Sequence, residues 1–211
     1  LTLVDNIMLK KIINLGLPSA LQMFFEIGVF TAAIWLSGTL GKNSQAANQI
    51  ALNLSSMTYM IAVGLGVAAT IRVGNQKGLK RPIELRRIAK SIFLMGLTFA
   101  AIFAVLFMAF HEALPTFYLD VNDLNNFKDN NEVVIIASQL LIIAALFQIS
   151  DSTQVVFLGA LRGLQDVKIP TLITFVSYWV VGFPLCCYLG SEYMYASAGI
   201  WMGLLAGLTA S

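Results

Sequence analysis

Two acidic residues, Glu26 and Asp151, each stand alone in a long uncharged stretch of this chain. Glu26 is the only ionisable residue in positions 12–41, and Asp151 is the only one in positions 133–161. Both stretches are long enough to cross a bilayer. A carboxylate at the centre of a membrane costs roughly 2.5–3.5 kcal/mol, so residues of this kind usually serve a function. Because neither stretch contains Lys or Arg, the pattern favours sites that exchange protons or small cations.

Other side chains share helical faces with these acids. Helical spacing places Gln22 and Phe30 one turn from Glu26, and it places Phe147 one turn before Asp151. A further polar row lies between the two acids in the sequence, at helical spacing: Gln49, Asn53, Ser56 and Tyr59. We expect these residues to face the interior of a helical bundle, where amide and hydroxyl groups otherwise join helices to one another.

These residue types permit two kinds of cation chemistry. Burial favours the neutral acid, which would exchange its proton for a cationic solute. Alternatively, Tyr59 and the amides complete an oxygen shell around Na⁺ with Glu26 and Asp151, because hard cations take oxygen ligands. Phe30 and Phe147 would present aromatic faces to an organic cation. Either chemistry leads to antiport, with Na⁺ or H⁺ as the coupling ion and no other cofactor.

The composition is that of a polytopic membrane protein. Of the 211 residues, 58% are hydrophobic and 11% are charged, whereas soluble domains have about a quarter of their residues charged. The net charge of +2 is too small to indicate nucleic-acid binding. Paired histidines, metal-ligand spacings and a nucleophile beside a base are all missing, so the sequence does not indicate an enzyme. The adjacent Cys186 and Cys187 are interpreted as packing residues.

Six apolar segments are long enough to span a bilayer as helices. They cover approximately residues 12–41, 46–71, 91–110, 133–161, 169–189 and 193–211. Backbone polar groups in lipid must be paired within their own segment, so the predicted fold is all-α, a transmembrane helix bundle. The sixth segment is expected to be incomplete.

Positive charge predicts the orientation of the bundle. Eleven of the 13 Lys and Arg residues fall on the side that holds the N-terminus, and the opposite side has only Lys42 and Lys128. The basic side is therefore expected to face the cytoplasm. The acids predicted on the outer side are Glu112, Asp120, Asp123, Asp129, Glu132 and Glu192. Tyr193, Tyr195 and Trp201 are interpreted as an aromatic belt at the membrane interface.

Four short motifs, in this order and spacing, resemble the C-terminal half of the multidrug and toxic compound extrusion (MATE) transporters, and most closely their bacterial NorM-like branch. The motifs are Gly16-Leu17-Pro18 before Glu26, Ala46-Ala47-Asn48-Gln49-Ile50-Ala51, Ala69-Thr70-Ile71-Arg72-Val73-Gly74, and Gly159-Ala160-Leu161-Arg162-Gly163 after Asp151. The resemblance covers nearly the whole chain.

The resemblance implies one six-helix lobe, helices seven to twelve of a twelve-helix, two-lobe exporter in a bacterial inner membrane. Its partners would be the N-terminal lobe, the lipid bilayer and small organic cations. In the family, positions that match Glu26 and Asp151 serve in coupling-ion and substrate binding, and positions that match Phe30, Gln49 and Tyr59 line the central cleft. A lobe without its partner is not expected to transport.

Two positions depart from the family pattern. Ser150 stands where some members have a second acid, and Phe147 where some have Tyr, so the resemblance leaves the choice between Na⁺ and H⁺ open. Two alternative functions also stay open. One is a flippase for lipid-linked saccharides, although no Lys or Arg lies in the predicted spans to bind pyrophosphate. The other is a membrane assembly subunit that does not transport.

Overall fold

The chain folds into a bundle of long helices. The computed structural model describes residues 5–119, 127–191 and 195–211, and within these ranges it contains no strand. The helices are α1 (Asn6–Thr39), α2 (Lys42–Gly78), α3 (Pro82–Ala109), α4 (Ala113–Thr116), α5 (Phe127–Gly163), α6 (Lys168–Leu189) and α7 (Ala196–Ala210). The predicted all-α fold is confirmed. The predicted outer acids Asp120, Asp123 and Glu192, and Tyr193 of the predicted belt, lie outside the described residues.

Five of these helices, α1, α2, α3, α5 and α6, are long and apolar enough to cross a membrane. Each of them overlaps one of the first five predicted spans. The apolar helix α7 begins within the sixth predicted span and has 15 residues. The chain is therefore a multi-pass membrane protein.

The helices extend beyond the apolar segments that sequence hydropathy identifies. The predicted second and third spans are residues 46–71 and 91–110, but α2 continues to Gly78 and α3 already begins at Pro82. The residues in between are rich in Lys and Arg, which are good helix formers in water. Proline at the first helical position is also favourable, since its missing N–H has no helical partner there. The basic connection is therefore mostly helical, with a turn at residues 79–81.

Helix α1 has a defined start and contains an internal proline. Asp5 caps the helix, because its side chain accepts hydrogen bonds from the backbone N–H groups of Ile7 and Met8. Pro18 interrupts the backbone hydrogen bonds in the first half of the helix. The Pro18 carbonyl accepts a hydrogen bond from Thr171 Oγ1 on α6 at 2.9 Å, so this interruption lies against another helix.

Helices α2 and α5 run parallel and in close contact. Lys42 Nζ contacts Asp129 Oδ2 at one end, and Lys77 Nζ contacts the Leu164 carbonyl at the other. At the closest approach, a Cβ built on Gly159 would lie 2.2 Å from the Gly66 carbonyl oxygen. Small residues on both helices thus allow the backbones to touch, as is typical of helix contacts in membranes. This contact holds the cleft-lining residues of α2 and α5 side by side.

Helix α6 changes its winding at mid-length. Residues Val176–Gly182 form π-helical turns, and Pro184 follows two residues after them. Wider π turns often occur at functional sites because they re-aim side chains. Here they direct Tyr178 toward α5, where its hydroxyl donates a hydrogen bond to Gln154 Oε1 at 2.8 Å. The following half of α6 packs closely on α7, and a Cβ on Gly203 would lie 2.4 Å from the Cys186 backbone nitrogen. Cys186 is buried there, consistent with a packing residue.

Candidate cation-binding cleft

A cleft of about 490 Å³ opens between α1, α2, α5 and α7. Eight of the nine residues that the sequence singled out line this cleft: Glu26, Phe30, Gln49, Asn53, Ser56, Tyr59, Phe147 and Asp151. The remaining lining residues are Met23, Ile27, Thr31, Ile34, Leu52, Ser55 and Trp201. The two isolated acids therefore share one cavity, although they are far apart in the sequence.

Glu26 belongs to the α1 wall of the cleft. Its Oε1 accepts a hydrogen bond from the Tyr59 hydroxyl of α2 at 3.5 Å. Behind α1, the indole N–H of Trp179 on α6 donates to the Phe25 carbonyl at 3.1 Å, which fixes the helix turn that carries the acid. Glu26 is thus held between two neighbouring helices while its carboxylate keeps access to the cavity.

Asp151 lies at the opposite wall, on α5, and is 5% exposed. It accepts no hydrogen bond from any residue in the ranges that the structure describes, although it faces the cavity with Glu26. Two carboxylates in one cavity repel each other when both are charged. Buried carboxylates require a partner, because desolvation of an unpaired charge is unfavourable. A proton or a cation in the cavity would supply that partner for both acids.

Aromatic rings form a continuous surface beside the acids. The rings of Phe30 and Phe147 meet edge to face with centroids 5.9 Å apart, and Phe147 meets Trp201 in the same way at 5.6 Å. Edge-to-face packing is the favourable geometry for such pairs. The faces of these rings are suited to contact with an organic cation.

The prediction that Trp201 belongs to an interfacial belt is wrong. Its side chain is 1% exposed, lines the cleft, and donates its indole N–H to Asn48 Oδ1 at 2.9 Å. Membrane-interface tryptophans and buried ones both place an apolar ring beside a polar N–H partner, so residue type cannot separate them. The partner here is an amide from α2, and the packing of α7 on α5 and α6 brings the indole within its reach.

Gln22 does not line the cleft. Its side chain is 1% exposed and lies beyond Glu26, where Nε2 donates to Thr174 Oγ1 at 3.1 Å. Its Oε1 accepts a hydrogen bond from Arg162 Nη2 at 3.2 Å. These two bonds connect α1 with α5 and α6. Gln22 therefore lies below the cavity and is not part of its lining.

Sequence reasoning missed two contributors to the site. From the sequence, Arg162 was counted only among the positive charges that predict the orientation of the bundle. It follows Asp151 by 11 residues, close to three helical turns, and so lies on the same face of α5. Ser55 lines the cleft with its hydroxyl oxygen buried and unpaired among the described residues. The helical spacing that defines the polar row of α2 selects its neighbour Ser56, whose hydroxyl bonds its own helix at the Leu52 carbonyl, and passes over Ser55.

The ligands that the cleft offers are oxygen atoms. Within the described ranges no three His, Cys, Asp or Glu residues are close enough to hold a metal ion together. The available set is two carboxylates with hydroxyl and amide groups, which suits a proton or Na⁺ and not a tightly bound transition metal. Ser150, at the position where some MATE transporters have a second acid, faces a separate groove.

A bundle of membrane-length helices around an acid-lined cleft defines the chain as a polytopic membrane protein with a candidate cation site. Comparison with known proteins then identifies the family. The chain belongs to the MatE family, whose model matches residues 18–188. The resemblance to MATE transporters is therefore confirmed.

Relatives of known annotation agree with this assignment. The chain is 41% identical over 207 residues to "Multidrug resistance protein MdtK" of Proteus mirabilis (strain HI4320), covering 96% of this chain and 43% of that protein. It is 36% identical over 195 residues to "Probable multidrug resistance protein NorM" of Brucella suis biovar 1 (strain 1330), covering 92% and 41%. The chain thus spans less than half the length of these relatives.

Solved structures support the fold. The eukaryotic MATE transporter AtDTX14 matches with a TM-score of 0.82 and 22% identity, covering 94% of this chain and 43% of that one. A MOP superfamily transporter from Pyrococcus furiosus matches with a TM-score of 0.80 and 16% identity, covering 95% and 43%. At these identities the likeness concerns the fold alone.

Proposed function

We propose that this chain forms one lobe of a multidrug exporter that is driven by Na⁺ or H⁺. Glu26 and Asp151 bind the coupling ion, with Tyr59 as a further ligand. The aromatic and amide residues of the cleft, Phe30 and Phe147 with Gln49 and Asn53, hold an organic cation. Because both cations need the same carboxylates, binding of one displaces the other, and this competition couples the two fluxes.

The observation that carries this proposal is the meeting of Glu26 and Asp151 in one cleft. Two carboxylates from separate helices converge there beside aromatic rings, and no Lys or Arg from the described ranges lines the cavity. This surrounding favours cationic solutes. A flippase for lipid-linked saccharides would need cationic groups for pyrophosphate, so the same observation disfavours that alternative.

The second lobe would come from the N-terminal half of the transporter. This part of the proposal is supported by the curated relatives, of which the chain covers 43% and 41%. A cleft that opens alternately to both sides needs two walls that move against each other. We therefore expect no substrate flux in liposomes that contain these 211 residues alone. Flux that Glu26→Gln abolishes in such liposomes would contradict the need for a second lobe.

Efflux from vesicles tests the function. The complete transporter would be reconstituted, loaded with a fluorescent organic cation, and given an imposed Na⁺ gradient or an imposed pH gradient. Glu26→Gln and Asp151→Asn keep the side-chain shapes but remove the ionisable groups. Each should lower gradient-driven efflux by about tenfold or more, since a loss of ~1.4 kcal/mol in binding free energy is a tenfold change. The matched control is Asp129→Asn, which removes an exposed acid outside the cleft.

The two gradients also identify the coupling ion, since only the gradient of that ion should drive efflux. Efflux that is unchanged in both Glu26→Gln and Asp151→Asn would contradict the proposal. Efflux lost equally in Asp129→Asn would show that the assay reports expression or folding in place of coupling.

We further propose a bacterial inner membrane as the location, with the N-terminus of this segment in the cytoplasm. The bias of Lys and Arg supports this orientation. Single cysteines at Lys42 and Lys77, which lie at opposite ends of α2, would be labelled in intact cells with a membrane-impermeant maleimide, after Cys187→Ala. Labelling at position 42 alone is expected, and labelling at position 77 alone would reverse the orientation.

A further inference from the structure

Arg162, at the end of α5, belongs to a hydrogen-bonded chain below the cleft. Its Nη2 donates to Gln22 Oε1 at 3.2 Å, and Gln22 Nε2 donates to Thr174 Oγ1 at 3.1 Å. Gln22 and Thr174 are each 1% exposed. Three helices, α1, α5 and α6, therefore meet at one amide, and this amide holds the arginine head group in place.

The arginine lacks an anionic partner in direct contact. Its Nε is buried without a hydrogen-bond partner among the described residues. Of the salt bridges within the described ranges, none includes Arg162. Arg162 is partly buried, its guanidinium stays protonated, and an opposite charge nearby would stabilise it. The protein therefore keeps a permanent cation in a place where its hydrogen bonding is incomplete.

Glu26 is the acid that this cation faces. It lies four residues after Gln22, which is about 6 Å along the axis of α1. Because Arg162 Nη2 donates to Gln22 Oε1 at 3.2 Å, the guanidinium lies beside the helix turn that leads to Glu26. The other titratable groups around Glu26 are Tyr59 from α2, Asp151 from α5 and Tyr178 from α6. Among these described groups, Arg162 alone is a cation.

We propose that Arg162 is a tethered counter-charge for Glu26, positioned by Gln22, with which an arriving coupling cation must compete. When the cleft holds neither coupling ion nor substrate, the guanidinium partly neutralises the carboxylate. A cation that binds at Glu26 gains less than it would beside an isolated acid, so its apparent affinity is lower. This inference rests on the proposed function of Glu26 and adds a residue that sets the strength of cation binding.

The test measures how much coupling cation the complete transporter needs. Efflux of the fluorescent organic cation from liposomes would be followed while the concentration of Na⁺ is varied at constant pH, and while the proton concentration is varied without Na⁺. Arg162→Gln removes the competing charge. The concentration of the driving cation at half-maximal efflux should therefore fall to about one third or below. Arg162→Lys keeps the charge and should stay within about twofold of the unaltered protein.

A purely structural arginine would behave differently. Its loss would lower the amount of folded protein or the maximal rate, but it would not let efflux saturate at a lower cation concentration. Arg86→Gln is the matched control, because it removes one positive charge from an exposed position near the same end of the bundle. We expect no change in half-saturation for this control.

An unchanged or higher half-saturating concentration in Arg162→Gln would overturn the inference. If Arg162→Gln does not reach the membrane, Gln22→Leu takes its place, because it releases the guanidinium. The half-saturating cation concentration should then decrease in the same way, and an unchanged or higher value would again overturn the inference. Glu26→Gln separates the two proposals. If that variant keeps normal gradient-driven efflux, Glu26 does not bind the coupling ion and the counter-charge fails; the proposed function fails as well if Asp151→Asn also keeps normal efflux. If Glu26→Gln loses efflux while Arg162→Gln leaves half-saturation unchanged, only the counter-charge fails.

Discussion

The hydroxyl of Tyr59 on α2 donates a hydrogen bond to the carboxylate of Glu26 on α1, with 3.5 Å between the hydroxyl oxygen and Oε1. This contact joins an isolated membrane acid to the polar row of the neighbouring helix, and both residues line the same cleft. A cation at Glu26 would have the Tyr59 oxygen within reach as a second ligand. The contact therefore offers a direct way to test the proposed ion site with little effect on packing.

Tyr59→Phe removes this oxygen and retains the ring. We expect the concentration of the driving cation at half-maximal efflux to rise about fivefold, since one hydrogen bond or ligand contributes about 1 kcal/mol. The measurement is gradient-driven efflux by the complete transporter, titrated with the cation. Tyr188→Phe, at an exposed position on α6, is the control and should not alter the titration. Equal titrations for all three proteins would show that Tyr59 is not a ligand.

Phe30→Leu should weaken the binding of an aromatic organic cation. The Phe30 ring packs edge to face on Phe147 in the cleft wall, and a cation–π contact contributes roughly 0.5–1 kcal/mol. The concentration of substrate at half-maximal efflux should therefore rise about two- to fivefold. The titration with the coupling ion should stay the same. Phe24→Leu removes a ring from the exposed side of α1 and serves as the control; an equal effect there would contradict a specific role for Phe30.

Gly159→Ala should destabilise the bundle. The added methyl group would lie 2.2 Å from the Gly66 carbonyl oxygen, so the backbones of α2 and α5 must separate. Overpacking of this kind costs about 1–3 kcal/mol. Thermal unfolding of the purified transporter in detergent should show a lower Tm. Gly64→Ala, two residues from Gly66 on α2 but in open space, should leave the Tm unchanged or higher, and a Tm for Gly159→Ala that equals this control would contradict the close contact.

Trp201→Phe should also lower stability, through a lost hydrogen bond. The indole N–H pairs with Asn48 Oδ1 at 2.9 Å in a buried setting, and the Asn48 amide nitrogen already has no partner among the described residues. Leaving a buried acceptor unpaired costs about 1–3 kcal/mol. The same Tm measurement checks this, with Trp35→Phe at an exposed position of α1 as the control. If Trp201→Phe lowers the Tm no more than Trp35→Phe does, the Trp201 side chain is less buried than the structure shows.

Much of the fold could be predicted from the chain without its structure. Uncharged stretches of membrane length predict helices, because lipid offers no partner for unpaired backbone groups. The same stretches single out Glu26 and Asp151, since a carboxylate is conspicuous where charges are costly. The α2 and α3 ends at Gly78 and Pro82 were less predictable, because a helix that leaves the bilayer continues in water without any change in its backbone pairing.

The individual cleft residues were harder to assign. Phe30, Gln49 and Tyr59 share helical faces with polar neighbours, and the structure places all three in the cleft. Gln22 shares the face of Glu26 equally well, yet it points to Thr174 and Arg162 instead. Helical periodicity gives a residue's face but not the neighbour against which that face packs.

Residue types and their spacing were thus sufficient for the membrane helices, the two isolated acids and the family of this protein. Tertiary packing was needed to bring the acids into one cleft, to bury Trp201 there, and to place Arg162 below Glu26. The physical reason lies in the solvent. Lipid accepts an apolar side chain as readily as the protein interior does, so hydrophobicity does not orient a membrane helix. Close contacts of small residues and a few buried hydrogen bonds orient it, and these depend on residues far away in the chain.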